Sequence, residues 1–122
     1  DAIIIATPTY QTSIPGALKN IFDLLPMNAL DTKIAGIIVT AASPMYFLMA
    51  EQQLKPILSY MGAHVINKYV YIQDCDFTNN VITNPDITQR LCTLALDTLD
   101  GLGHMDLQKK YSDDRKNIQK SL

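Results

Sequence analysis

Two continuous apolar runs constrain this chain more than any other feature: Ala2-Ile3-Ile4-Ile5-Ala6-Thr7 and Ile34-Ala35-Gly36-Ile37-Ile38-Val39-Thr40. A strand with one wet face alternates polar and apolar residues. These runs do not alternate, so they read as strands covered on both faces of a parallel sheet. Parallel strands need a crossover between them, and a helical pattern stands where one is required. Ile14, Ala17, Leu18, Ile21, Phe22 and Leu25 recur at spacings of three and four, which predicts an amphipathic helix. Ser13 is placed to cap it, Pro15 needs no amide partner in a first turn, and Pro26 ends it.

The pattern repeats. A second helix opens at Ser43-Pro44 and runs toward Met61, with Gly62 as a left-handed terminator and a kink or break near Leu54 and Lys55 caused by Pro56. Ala63 to Ile72 predicts a third strand, and Gln73 to Thr83 a polar loop. Asn84-Pro85-Asp86 starts a third helix with Ile87, Leu91, Leu94, Ala95, Leu99 and Leu102 on its stripe and Gly101 and Gly103 at its close. From Met105 the chain is charged and polar, a solvated helix or frayed tail, so residues 1–104 form one α/β domain and 105–122 a tail. The chain opens at Asp1 directly into a strand, and the expectation is that an earlier part of the fold is missing. The first strand then has an open, very apolar edge that something should cover.

Composition removes several function classes. Ten basic against twelve acidic side chains give a net charge of -2, so there is no positive field for nucleic acid. No apolar run approaches the ~20 residues of a membrane helix. Cys75 and Cys92 suggest neither a zinc site nor a disulfide framework, and read as reduced thiols of a cytoplasmic protein. His64 and His104 have no nucleophile or ligand partner at a telling spacing. Asp74 and Asp76 flank Cys75 at a strand's carboxyl end, a place that admits a role near substrate.

In open parallel sheets, ligands bind outside the carboxyl ends of the strands. Two short loops qualify, Thr7 to Ser13 and Thr40 to Pro44, and both lead into helix starts that favour an electron-rich group. The cluster Met45 to Met49 is apolar all round, which suggests burial against another subunit.

The first loop carries a resemblance. Ala6-Thr7-Pro8-Thr9-Tyr10-Gln11-Thr12-Ser13-Ile14-Pro15-Gly16-Ala17-Leu18-Lys19-Asn20, with Asp23 a turn on, resembles the T-P-x-Y-x-x-S-x-P-G-x-L-K-N signature of NAD(P)H-dependent FMN reductases. Asp23-Leu24-Leu25-Pro26, Ser43, Leu54-Lys55-Pro56-Ile57-Leu58 and Gly62-Ala63 are similar to the subgroup that supplies reduced flavin to sulfonate-degrading monooxygenases. The likeness covers about residues 1 to 100. It implies a flavodoxin-like three-layer α/β/α fold, with the strands here as the third, fourth and fifth of five. It also implies FMN as cofactor, NADPH or NADH as hydride donor, and a homodimer or homotetramer.

By the same likeness Pro8, Thr9 and Tyr10 lie along the isoalloxazine, Ser13 caps the helix and orients the loop, and Ala41, Ala42 and Ser43 form the second wall. Many relatives have adjacent glycines where Ala41 and Ala42 stand. The family's glycine- and serine-rich phosphate loop has no counterpart in this chain. The implied reaction needs no catalytic side chain and no metal. Two alternatives stand beside it: a non-catalytic flavodoxin-like assembly module, and an FMN-dependent reductase of quinones, azo compounds or metal oxyanions.

Overall fold

A computed structural model describes residues 1–121. Strand β1 (Ala2–Pro8) is followed by helix α1 (Gly16–Leu24) and by β2 (Ile34–Ala41). A 3-10 turn (Pro44–Tyr46) and a π-helical stretch (Ala50–Leu54) lead into α2 (Lys55–Tyr60). Short strands β3 (His64–Val65) and β4 (Val70–Gln73) come next, then a hairpin of β5 (Phe77–Thr78) and β6 (Val81–Ile82), then the long helix α3 (Pro85–Ser121).

β2 is the axis of a four-stranded parallel sheet, with β1 on one side and both β3 and β4 on the other. Its side chains divide between two cores. Ala35, Ile37 and Val39 pack with Phe22, Leu54 and Leu58 under α1 and α2. Ile38 packs with Val70, Ile72, Ile87 and Leu94 beneath α3. Helices therefore cover both faces, giving the three layers predicted. Leu54 and Leu58 are fully buried, and burial of such a side chain stabilises by roughly 1.5–3 kcal/mol.

β2 is buried on both faces as expected, but β1 is not. Ile4 is 47% exposed, because β1 pairs only with β2 and α3 reaches only part of that face. Its outer edge has no partner among the described residues.

Several local expectations need correction. α1 starts at Gly16 behind Pro15 with no side-chain cap, because the hydroxyl of Ser13 is turned toward Gln53 instead. On the predicted stripe Phe22 and Ile14 are buried and Leu18 partly so, while Ala17, Ile21 and Leu25 face solvent. The second helix is not continuous from Ser43. Ser43 caps only the 3-10 turn, and the break expected from Pro56 takes the form of a π-helical stretch that ends where α2 begins. Gly62 does take the left-handed conformation, at φ +92°, with Asp31 backbone 2.9 Å from where a Cβ would sit.

The third predicted strand is split. Val65 pairs with Ala35 and Val70 with Ile38, so Ile66–Tyr69 bulge out against only Gly36 and Ile37 on β2. The predicted loop Gln73 to Thr83 holds the β5–β6 hairpin, turned by Asn79 and Asn80, both at positive φ.

α3 is not closed by Gly101 and Gly103. Neither glycine adopts positive φ, and Gly101 instead gives close passage to Ile34. The buried face of α3 runs Ile87, Leu94, Thr98 and Met105, so Ala95 and Leu99 of the expected stripe are exposed. The shift has a cause in the sheet. A Cβ on Gly36 would stand 2.6 Å from Ile4 Cδ1, 3.2 Å from Leu94 Cδ1 and 3.3 Å from Thr98 Oγ1, so α3 settles where the sheet lacks a side chain.

Candidate functional site

The parallel ladder runs from Ala2 opposite Ile34 to Pro8 opposite Thr40. This register brings the two predicted loops out side by side at the carboxyl end of the sheet. The Thr9 amide extends the ladder by donating to the Thr40 carbonyl at 2.8 Å. Thr7 is buried, and its hydroxyl donates to the Pro8 carbonyl at 3.1 Å.

After Thr9 the chain closes a tight turn. The Tyr10 amide donates to the Ser13 carbonyl at 2.9 Å, and the Ser13 amide donates back to Tyr10 at 3.0 Å. Between them Gln11 and Thr12 take φ of 47° and 63°. Neither is glycine, and a β-branched residue is rare in that region, so the turn holds strain of order 1–3 kcal/mol per residue. Tyr10 is 61% exposed, leaving its ring free to lie against a ligand.

On the second wall, Ala41 is the last residue of β2 and is buried, opposite Gln73. Ala42 is exposed and Ser43 partly so, and Ser43 Oγ accepts from the Met45 amide at 3.3 Å. Of the two alanines, only Ala42 presents itself at the surface. The predicted residues Pro8, Thr9, Tyr10, Ser13, Ala42 and Ser43 thus share one end of the sheet.

Two positioning contacts were invisible in the sequence. The Tyr71 hydroxyl donates to the Ser43 carbonyl at 2.5 Å, and burial pushes that phenol's pKa up. Gln53 reaches the first loop, accepting from the Ser13 hydroxyl and placing Nε2 3.4 Å from the Thr12 carbonyl. Each bridges elements far apart in the chain, and no local spacing encodes that. In the sequence Gln53 is one of a polar run, Glu51-Gln52-Gln53, with nothing to set it apart from its neighbours.

The fit to a flavin can be judged from these atoms. Thr9 Oγ1 is a buried hydroxyl oxygen with no hydrogen-bond partner, an arrangement that costs free energy unless a ligand or water meets it. The next residue, Tyr10, offers an exposed aromatic ring, so this loop has atoms that would suit the ring of a flavin. Nothing here would suit its phosphate: the described residues offer no glycine-rich loop at this end, and Lys19, the nearest cation in sequence, is paired with Asp23 at 2.6 Å.

The remaining expectations are placed as follows. Asp76 is buried and structural: it accepts from Asn84 Nδ2 at 2.7 Å and from the Gln73 amide at 2.8 Å, which hold its pKa below the usual carboxylate range. Asp74, Cys75, His64 and His104 are exposed. No cluster of three or more His, Cys, Asp or Glu suited to a metal occurs among the described residues. A surface concavity of about 570 Å³ lies away from the two predicted loops, between Asn67–Val70 and the first turns of α3.

A parallel sheet covered by helices on both faces defines a flavodoxin-like α/β fold. Solved structures agree. An oxidoreductase from Corynebacterium diphtheriae superposes with a TM-score of 0.76 at 29% identity, over 85% of this chain and 56% of that one. The apo form of the NADH:FMN oxidoreductase EmoB gives 0.71 at 31% identity, over 82% of this chain and 53% of that one. Residues 1–76 match the family described as NADPH-dependent FMN reductase, and the chain belongs to that family.

Curated relatives include an NAD(P)H-dependent FAD/FMN reductase of Geobacillus thermodenitrificans, 38% identical over 78% of this chain and 52% of the relative. An NADPH FMN reductase of Escherichia coli is 36% identical over 80% of this chain and 52% of its own length. The NADH-dependent FMN reductase SfnF of Pseudomonas fluorescens is 36% identical over 75% and 49% respectively. The chain spans about half the length of the curated relatives it matches.

Proposed function

We propose that the protein carrying this chain is an NAD(P)H-dependent flavin reductase that passes hydride from NADPH or NADH to FMN. The observation that carries this reading is the pairing of Pro8 with Thr40, which sets the strained Tyr10–Ser13 turn beside Ala42 and Ser43. Family membership supports it. In this reading Pro8, Thr9 and Tyr10 lie along the isoalloxazine, with the unpartnered Thr9 hydroxyl meeting its polar edge. Ser13 fixes the turn, buried Ala41 ends the supporting strand, and Ala42 and Ser43 form the facing wall. Bound FMN supplies the hydride acceptor. The side chains stack, orient and exclude water without transferring a proton, so none is assigned as catalytic. Donors for the phosphate come from protein outside the described residues.

Oligomerisation belongs to the same proposal. Met45, Phe47 and Leu48 are 78%, 54% and 42% exposed on one connection, which suits burial against a second copy in a homodimer or homotetramer. Residues 1–104 are proposed as the domain and 105–122 as its extension, since Asp106–Ser121 are exposed throughout; Met105, at the junction, still packs against the domain. A cytoplasmic location is proposed from the two free thiols, Cys75 and Cys92. No helix of the described residues is long and apolar enough to cross a membrane.

An anaerobic FMN titration of the complete natural protein, followed by NADPH, tests the function. The expected result is a shift of the flavin's visible band and then bleaching. Failure to bind FMN and to oxidise NADPH in its presence overturns the reading in favour of a module that kept the fold without the cofactor. Rates with quinone and azo acceptors then decide what receives the electrons.

A further inference from the structure

The turn at Tyr10–Ser13 does not hold its shape unaided. Gln11 and Thr12 occupy the left-handed region without being glycine, and outward relaxation would relieve them. What opposes relaxation is a side chain from about forty positions downstream. Gln53 uses both ends of its amide, accepting from the Ser13 hydroxyl and directing Nε2 to the Thr12 carbonyl at 3.4 Å.

Gln53 is well placed for this. It sits in the π-helical stretch between Ala50 and Leu54, both fully buried, so its backbone is anchored in the core. The Lys55 amide bonds to the Ala50 carbonyl, five residues back, and the widened turn changes the direction in which the residues before Lys55 project relative to a regular α-helix. Its neighbour Gln52 on the same stretch is exposed.

We infer that Gln53 is a positioning residue that clamps the Tyr10–Ser13 turn in the shape that receives the flavin ring; this rests on the flavin-reductase reading above. Glutamine is suited to it because one amide carries both a donor and an acceptor. A carboxylate at this position keeps the bond from Ser13 but loses the donor to Thr12 and sets a negative charge against its carbonyl. The role is indirect: Gln53 acts on the turn, and the turn on the flavin.

The test compares wild type, Gln53→Ala, Gln53→Glu and Gln52→Ala in the complete natural protein. Amide exchange of Tyr10 and Ser13 is read without flavin, and FMN affinity and turnover are read with it. In Gln53→Ala exchange at these two amides rises, while exchange at Val39 in the sheet is unchanged. The FMN dissociation constant rises about tenfold, the factor expected for losing a pair of modest hydrogen bonds. The KM for NADPH stays put, Gln53→Glu falls between, and Gln52→Ala behaves as wild type. Unchanged exchange in Gln53→Ala overturns the inference. So does faster exchange with unaltered FMN affinity, which would make the contact purely structural, and so does an equal effect from Gln52→Ala. A wild type that binds no FMN overturns the functional reading and this inference together, whereas a wild type and Gln53→Ala that bind FMN equally overturn this inference alone.

Discussion

The hydroxyl of Tyr71 on β4 donates to the carbonyl of Ser43 at 2.5 Å, tying the loop after β2 to its neighbouring strand. Tyr71→Phe removes that donor and leaves a partly buried carbonyl short of a partner. The expected cost is about 1 kcal/mol, read as a lower midpoint in urea unfolding, with weaker FMN binding in the same variant. The phenol also sets an alkaline limit. Its folded pKa is raised by burial, so stability is intact below the ordinary tyrosine value near 10 and declines as pH rises through the folded value. Phenylalanine at this position removes that part of the alkaline decline.

Thr12→Gly should stabilise the protein. The native φ of 63° is strained for a β-branched residue and free for glycine. A gain of roughly 0.5–1 kcal/mol is expected, visible as a higher melting temperature. A loss of stability would show that the Thr12 side chain contributes something the strain argument omits.

Gly36→Val should destabilise by about 1–3 kcal/mol, the usual range for overpacking. Ile4 is half exposed and can swing away, but Leu94 and Thr98 on α3 stand at 3.2 and 3.3 Å from the new Cβ and must move with the helix. Thermal unfolding checks this. An unchanged midpoint would mean that α3 rides loosely on the sheet.

Asp76 predicts an acid limit. The side-chain hydrogen bond from Asn84, then the Gln73 amide and the Arg90 charge, favour its ionised form and lower its folded pKa. Its stabilising contribution is therefore present above the ordinary carboxylate value near 4 and is lost as pH falls through the lower folded value. Asp76→Ala should cost about 2 kcal/mol at neutral pH and flatten the acid side of the stability profile. An acid profile identical to wild type would refute it.

What the sequence made legible follows from how far each signal reaches along the chain. The unbroken apolar runs located β1 and β2 to within a residue, and Pro56 and Gly62 marked a break and a stop, because each acts on its own backbone. Ser13 has the local signature of a cap, but its hydroxyl's partner, Gln53, is not near it in sequence. Gly101 and Gly103 looked like stops because glycine usually is one past an apolar stripe, yet α3 continues through them. The split between β3 and β4 depends on ladder register with β2, which composition does not carry. The crevice was legible as two loops, and its clamps were not.

The ladder from Ala2–Ile34 to Pro8–Thr40 also says when the crevice comes into being. All of α1 and its flanking turns lie between the paired residues, so β1 and β2 meet only after a long loop has closed, a slow step in chains built on non-local pairing. Until then Thr9 and Thr40 are strangers in solution. Any ligand of these two loops finds its target only in the folded chain, so its binding would shift the folding equilibrium toward the structure that recognises it.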